Sequence, residues 1–158
     1  MDIAIGLRPA LDGDREFCFL VTERAMRSYV EQAFGQWDEK QQRERHAHDF
    51  AIRRPDIISL NGVDVGIWLV LREVTCLVLS KIYLLPEFQG RGIGSALLDR
   101  LIAESEEARL PIHLRLLKVN PALSLYERKG FRVVRQEDPY VYMERGGGGV
   151  QKSGREMR

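Results

Sequence analysis

The sequence predicts an α/β (α+β) domain: a mixed, mostly antiparallel central sheet with one parallel crossover, flanked by about four helices. Three observations carry this. Residues 57–85 hold runs rich in β-branched and aliphatic residues, broken by Asn61-Gly62 and Arg72-Glu73. Tight turns of that kind join antiparallel strands. After Pro86 the pattern changes to a glycine loop, then to helical apolar spacing, then to another strand. Strand, loop, helix, strand is the right-handed crossover that joins parallel strands.

The elements follow in order. Residues 3–8 alternate weakly and end at Arg8-Pro9, a short first strand. Asp12-Gly13-Asp14 turns the chain into a helix over 17–30, where Phe17, Leu20, Val21, Ala25 and Met26 recur at helical spacing. Phe34-Gly35-Gln36-Trp37 breaks it. A very polar helix over 38–50 follows, its charges a solvated face with opposite signs at helical spacing. Ile57 to Leu60, Val63 to Leu71 and Val74 to Leu85 are three strands of an antiparallel meander. Ile93, Ala96, Leu97, Leu101 and Ala108 mark a helix ending before Pro111, and Ile112 to Leu117 is a further strand. Asn120-Pro121 opens a short helix, asparagine suiting the cap and proline the first turn. That helix stops at Lys129-Gly130. Phe131 to Arg135 and Tyr140 to Glu144 close the domain, which spans 1–145. Residues 146–158 are glycine-rich and polar, and a flexible tail is expected there.

Composition narrows the function classes. The 158 residues are 44% hydrophobic and 30% charged, with a net charge of +1. That balance leaves no electrostatic footprint for nucleic acid or a membrane surface. No apolar run approaches the ~20 residues of a membrane span. The start, Met1-Asp2-Ile3-Ala4, lacks the basic and apolar stretches of a secretion signal, so a cytoplasmic location is expected. Cys18 and Cys76 stand alone in apolar contexts, so they read as buried hydrophobes, with no disulfide framework and no metal site expected.

The chemistry concentrates in Gln89-Gly90-Arg91-Gly92-Ile93-Gly94. Glycines alternating with Arg91 and Ile93 let the backbone turn tightly and approach a ligand. Successive backbone N–H groups and the following helix N-terminus favour an anion. Arg91 adds a full charge and a fork of donors. Together these make a pyrophosphate cradle. Ser95 stands where a dinucleotide loop has its third glycine, and there is no Gly-Lys-Ser/Thr, so both nucleotide readings are weak.

The run from Ile82 through Leu98, Ile-Tyr-Leu-Leu-Pro-Glu-Phe-Gln-Gly-Arg-Gly-Ile-Gly-Ser-Ala-Leu-Leu, resembles the acetyl-CoA signature of the GNAT superfamily of N-acetyltransferases. Val119 to Phe131, with Asn120 and Leu125-Tyr126-Glu127, resembles the second signature of that family. The resemblance implies a GNAT-like fold and acetyl-CoA as co-substrate, without a metal. It implies that the backbone of Ile82, Tyr83 and Leu84 pairs with the pantetheine arm as a strand would. Gln89, Gly90, Arg91, Gly92, Ile93, Gly94 and Ser95 would hold the pyrophosphate, Asn120 would meet the cofactor near its thiol end, and Tyr126 would be the general acid. Tyr126 stands one position closer to Asn120 than in many members, which bears on the Asn120 contact.

Acetyl transfer needs a neutral amine, a donor for the oxyanion and a proton for the thiolate. A backbone N–H near Tyr83 or Leu84 suits the oxyanion, and a tyrosine of ordinary pKa about 10 can protonate a thiolate of about 8.5. The base stays open among Glu73, Glu31, His46, His48, Asp49 and a water chain. Tyr29, Phe34 and Trp37 form an aromatic group that would pack as core or lid, or line the acceptor site. The expected acceptor is a small-molecule primary amine. The rivals are a protein lysine or N-terminal acetyltransferase and a non-catalytic acyl-CoA-binding sensor. Strands within 131–144 could pair across a homodimer.

Overall fold

The computed structural model of the chain describes residues 4–146. Residues 1–3, and the expected tail apart from Gly146, lie outside the described residues. The order is β1 (Ile5–Pro9), α1 (Arg15–Phe34), α2 (Glu39–Ile52), β2 (Asp56–Leu60), β3 (Val63–Arg72), β4 (Leu77–Leu84), α3 (Ile93–Ala108), β5 (Ile112–Leu117), α4 (Ala122–Arg128), β6 (Arg132–Glu137) and β7 (Tyr140–Arg145). Short 3-10 turns precede α1 and follow β4. The described strands form a seven-stranded sheet in the order β1-β2-β3-β4-β5-β7-β6. β4 and β5 run parallel, and the sheet is otherwise mostly antiparallel, as expected from the sequence.

The described residues divide into two compact units, one of those up to Leu69 with Lys81–Gly94, the other of Val70–Ser80 with those from Ser95 onward. In the first, Ala10, Cys18, Val21, Phe50, Ile57, Ile67 and Leu85 are buried together, with Phe17, Tyr83 and Phe88 packed against them. α1 and α2 are tied side by side. The Phe19 ring lies 6.4 Å from Trp37 and 5.4 Å from His46, and the Arg43 guanidinium stacks over it at 4.1 Å while pairing with Glu16. Asp38 caps α2 by accepting from the Gln41 N–H at 3.0 Å, one of the donors a helix start leaves open. The α1 helix outruns the expected 17–30 at both ends.

In the second unit β7 lies between β5 and β6. Along α3 the apolar stripe Leu97, Leu98 and Leu101 is buried, as are Ile112 and Leu114 of β5 and Met143 of β7. One expectation fails here. The strand expected from Val74 begins at Leu77, because Glu73 to Cys76 is spent on reversing the chain. The Glu73 N–H donates to the Cys76 carbonyl at 2.9 Å, and Val74 is 93% exposed. Val74 and Thr75 have strand-like composition, but a turn overrides propensity where no neighbour covers the side chain.

Candidate functional site

The first unit carries the end of β4, the 3-10 turn Pro86–Phe88 and the glycine loop. The β4–β5 ladder spans Leu77–Leu79 against Ile112–Leu114, and Ile82, Tyr83 and Leu84 lie beyond its last rung. β3 sets their position. Its pairing with β2 skips Val65, a bulge, and the Val65 carbonyl accepts from the Leu85 N–H at 2.9 Å. Next to it, a Cβ on Gly66 would stand 2.4 Å from the Tyr83 carbonyl oxygen. Only glycine lets β3 approach β4 this closely. The sequence reading passed over Gly66, although a lone glycine inside a strand pattern is the signal for such an approach.

The turn after β4 is fastened on three sides. The Phe88 N–H donates to the Leu85 carbonyl at 2.9 Å. The Gln89 side-chain amide donates to the Leu84 carbonyl at 3.0 Å. Glu87 forms a two-pronged pair with Arg24 of α1, both contacts at 3.1 Å. A hydrogen bond from its own backbone N–H, and then Arg24, hold the Glu87 carboxyl below the usual carboxylate range.

Gly90 and Gly92 adopt φ of +74° and +83°, a backbone region that side chains rarely enter. A Cβ built on either would meet nothing within 4 Å, so the backbone conformation is what selects glycine there, and the space above it is open. Gly94 is helical, and its Cβ would make ordinary contact with Ile82 at 3.5 Å. Ile93, 1% exposed, anchors the start of α3. Arg91 is exposed, and its guanidinium lies 5.1 Å from the centre of the Phe88 ring. An open left-handed loop, a helix start and a cation make a set that fits a diphosphate group.

Ser95, Asn120 and Tyr126 belong to the second unit. Ser95 is half-buried in the first turn of α3. Against the expectation of Asn120 as the helix cap with Pro121 in the first turn, Pro121 is the N-cap and Asn120 stands one residue before it. There its Oδ1 accepts from the Ala122 N–H at 2.9 Å, and its own N–H reaches the Leu117 carbonyl at 2.9 Å. Tyr126 is buried to 7% exposure, with its ring edge-on to Phe131 at 5.5 Å.

The base candidates separate by environment. Glu31 is held by Arg27 at 3.1 Å, and Glu73 accepts from the Cys76 thiol at 3.5 Å. His46 lies between Phe19 and Phe50, its Nε2 3.1 Å from the Arg15 carbonyl, and burial lowers its pKa. His48 and Asp49 are exposed. Of the aromatic group, Trp37 is buried while Phe34 is 54% exposed. Sequence reasoning missed a polar cluster built on the buried Glu144 in the second unit. Glu144 of β7 pairs with His113 of β5 at 2.9 Å and with Arg132 of β6 at 3.0 Å. The register sets all three abreast.

Among the described residues no helix is long and apolar enough to cross a membrane. A family profile described as an acetyltransferase (GNAT) domain matches residues 56–133. The fold is similar to that of a PaiA N-acetyltransferase from Thermoplasma acidophilum in complex with coenzyme A, with a TM-score of 0.66 and 21% identity, covering 92% of this chain and 99% of that one. It is similar to the ribosomal-protein-S18-alanine N-acetyltransferase from Escherichia coli, with a TM-score of 0.64 and 22% identity over 99% of both chains. A GNAT family acetyltransferase from Elizabethkingia anophelis with acetyl-CoA bound has a TM-score of 0.59 and 14% identity, covering 90% of this chain and 97% of that one. At such identities the likeness is one of fold.

Proposed function

We propose, from the match of residues 56–133 to an acetyltransferase (GNAT) domain profile, that the chain is a GNAT acetyltransferase that transfers the acetyl group of acetyl-CoA to the primary amine of a small molecule, by direct attack in a ternary complex. The observation that carries the cofactor reading is the open left-handed backbone at Gly90 and Gly92, directly ahead of α3 with Arg91 between them. In this proposal Gln89 to Ser95 receive the pyrophosphate, and the backbone of Ile82, Tyr83 and Leu84 receives the pantetheine arm. Asn120 sits near the thiol end. Acetyl-CoA supplies the activated acyl group.

The amine nitrogen, freed of its proton, attacks the thioester carbonyl carbon. A backbone N–H near Tyr83 or Leu84 steadies the oxyanion. As the carbon–sulfur bond breaks, Tyr126 gives its proton to the thiolate, the nitrogen releases its extra proton to water, and Tyr126 is reprotonated from water, leaving the amide and free coenzyme A. A small acceptor is favoured by the charge pattern of α1 and α2. Arg24, Arg27 and Arg43 are each paired with carboxylates of the same unit, and the chain as a whole carries 24 basic against 23 acidic residues, a balance with no excess of one sign to grip a protein partner.

Gly94→Asp tests the site. Aspartate in the first turn suits the helix end and has room beside Ile82, so the variant folds, yet its charge repels a diphosphate. Saturating acetyl-CoA is expected to raise the wild-type melting temperature by about 5–10 °C and to leave the variant unmoved. A wild type that does not respond, or a variant that responds equally, defeats the assignment.

A further inference from the structure

An arginine meant to receive an anion must be held in place without being neutralised. Arg91 shows how this chain does it. Among the described residues Arg91 forms no ion pair, in contrast to Arg24 and Arg27 of the same unit. It rests instead on the face of the Phe88 ring, whose centre is 5.1 Å from the guanidinium carbon. A carboxylate partner would cancel the charge and consume the N–H fork. An aromatic face attracts the cation through the ring and leaves the donors, which lie in the guanidinium plane, unused.

The shelf itself is rigid. Phe88 packs against the buried cluster of Ala10, Cys18, Val21 and Leu85. Its backbone N–H is bonded to the Leu85 carbonyl at 2.9 Å, and the Gln89 amide ties the next residue back to Leu84 at 3.0 Å. Phe88 is thus joined to the core on one side and to the cation on the other. Nothing in the sequence signature assigns it a role.

We propose that Phe88 is a positioning residue for the cofactor, a fixed aromatic shelf that pre-sets the Arg91 guanidinium over the glycine loop to meet a phosphate group of acetyl-CoA. The proposal rests on the acetyl-CoA reading above. Because the shelf acts on binding alone, it changes KM for acetyl-CoA and leaves kcat in place.

The test is a double-mutant cycle on the full chain, with Phe88→Leu, Arg91→Ala and both together, read as KM and kcat for acetyl-CoA alongside melting curves. Phe88→Leu is expected to raise KM about two- to fivefold with kcat unchanged. Phe88→Tyr, which keeps the aromatic face, restores the wild-type KM. In the Arg91→Ala background Phe88→Leu adds nothing further, since its effect passes through Arg91. A fully additive double mutant, an Arg91→Ala variant with normal KM, or a Phe88→Leu defect confined to kcat overturns the proposal. Failure of the acetyl-CoA reading looks different: the wild type then shows neither a melting shift nor turnover, and both proposals fall together.

Discussion

At the scale of single residues, the environment separates groups that the sequence makes look alike. Cys18 is fully buried, and desolvation pushes its thiol pKa up to about 11. Cys76 is buried with its thiol turned to Glu73. Tyr126 combines a buried ring with the role of acid proposed for it, and phenylalanine keeps the edge-on packing on Phe131 while removing only the hydroxyl. Tyr126→Phe is therefore expected to fold normally and to lose about 10²–10⁴-fold in kcat. Full turnover in a folded variant would remove Tyr126 from the mechanism. Tyr126 and the loop glycines were legible in the sequence because they sit in contiguous motifs. Gly66 was not, because its need arises from a strand distant in sequence, whose Tyr83 carbonyl would strike any Cβ placed there.

At the scale of elements, α1 and α2 show how a polar helix is fixed in place. The α2 sequence reads as a solvated charged face, yet Phe50 is buried and His46 is half-buried between Phe19 and Phe50. Burial holds the His46 pKa below its ordinary value, with Lys81 acting the same way and the Arg15 carbonyl, Asp49 and Glu16 opposing. The unfolded chain therefore takes up a proton at higher pH than the folded chain does. Stability from this site is complete above the unfolded value of about 6.5 and is lost as the pH falls through the lower folded value. The melting temperature is expected to decline as the pH falls below about 6.5, and His46→Phe should flatten that limb. An unchanged slope in the variant would assign the effect elsewhere. The same comparison explains the misread start of β4: local composition at Val74 and Thr75 favours a strand, and only the closing bond from Glu73 to Cys76 reveals a turn.

At the scale of the whole molecule, the proposed direct attack is tested by the order in which the substrates bind. Among the described residues both cysteines are buried, and the Cys18 thiol is held protonated. Direct attack of amine on thioester then requires both substrates to be bound together. Initial-velocity lines at several fixed amine concentrations are expected to intersect, and acetyl-CoA without amine should release no burst of coenzyme A. Parallel lines with a stoichiometric burst would point to an acetyl-enzyme and sink the ternary route.

By itself the sequence determined the class of fold, the order of its elements and the loop that suits a diphosphate. Each of these is written in short-range pattern: apolar period, turn dipeptides, and glycines beside a helix start. Only the tertiary structure decided which side chains are spent on holding the protein together. Gln89 is bonded to Leu84, Glu87 is committed to Arg24, and Asn120 is bonded to the first residue of α4, while Arg91 rests on a ring with its donors unspent. It also decided the abreast placement of His113, Glu144 and Arg132. The physical reason is that a side chain's chemistry depends on its neighbours in space. Strand register, a bulge at Val65 and a Cβ-free approach at Gly66 bring those neighbours from parts of the chain that no local pattern connects.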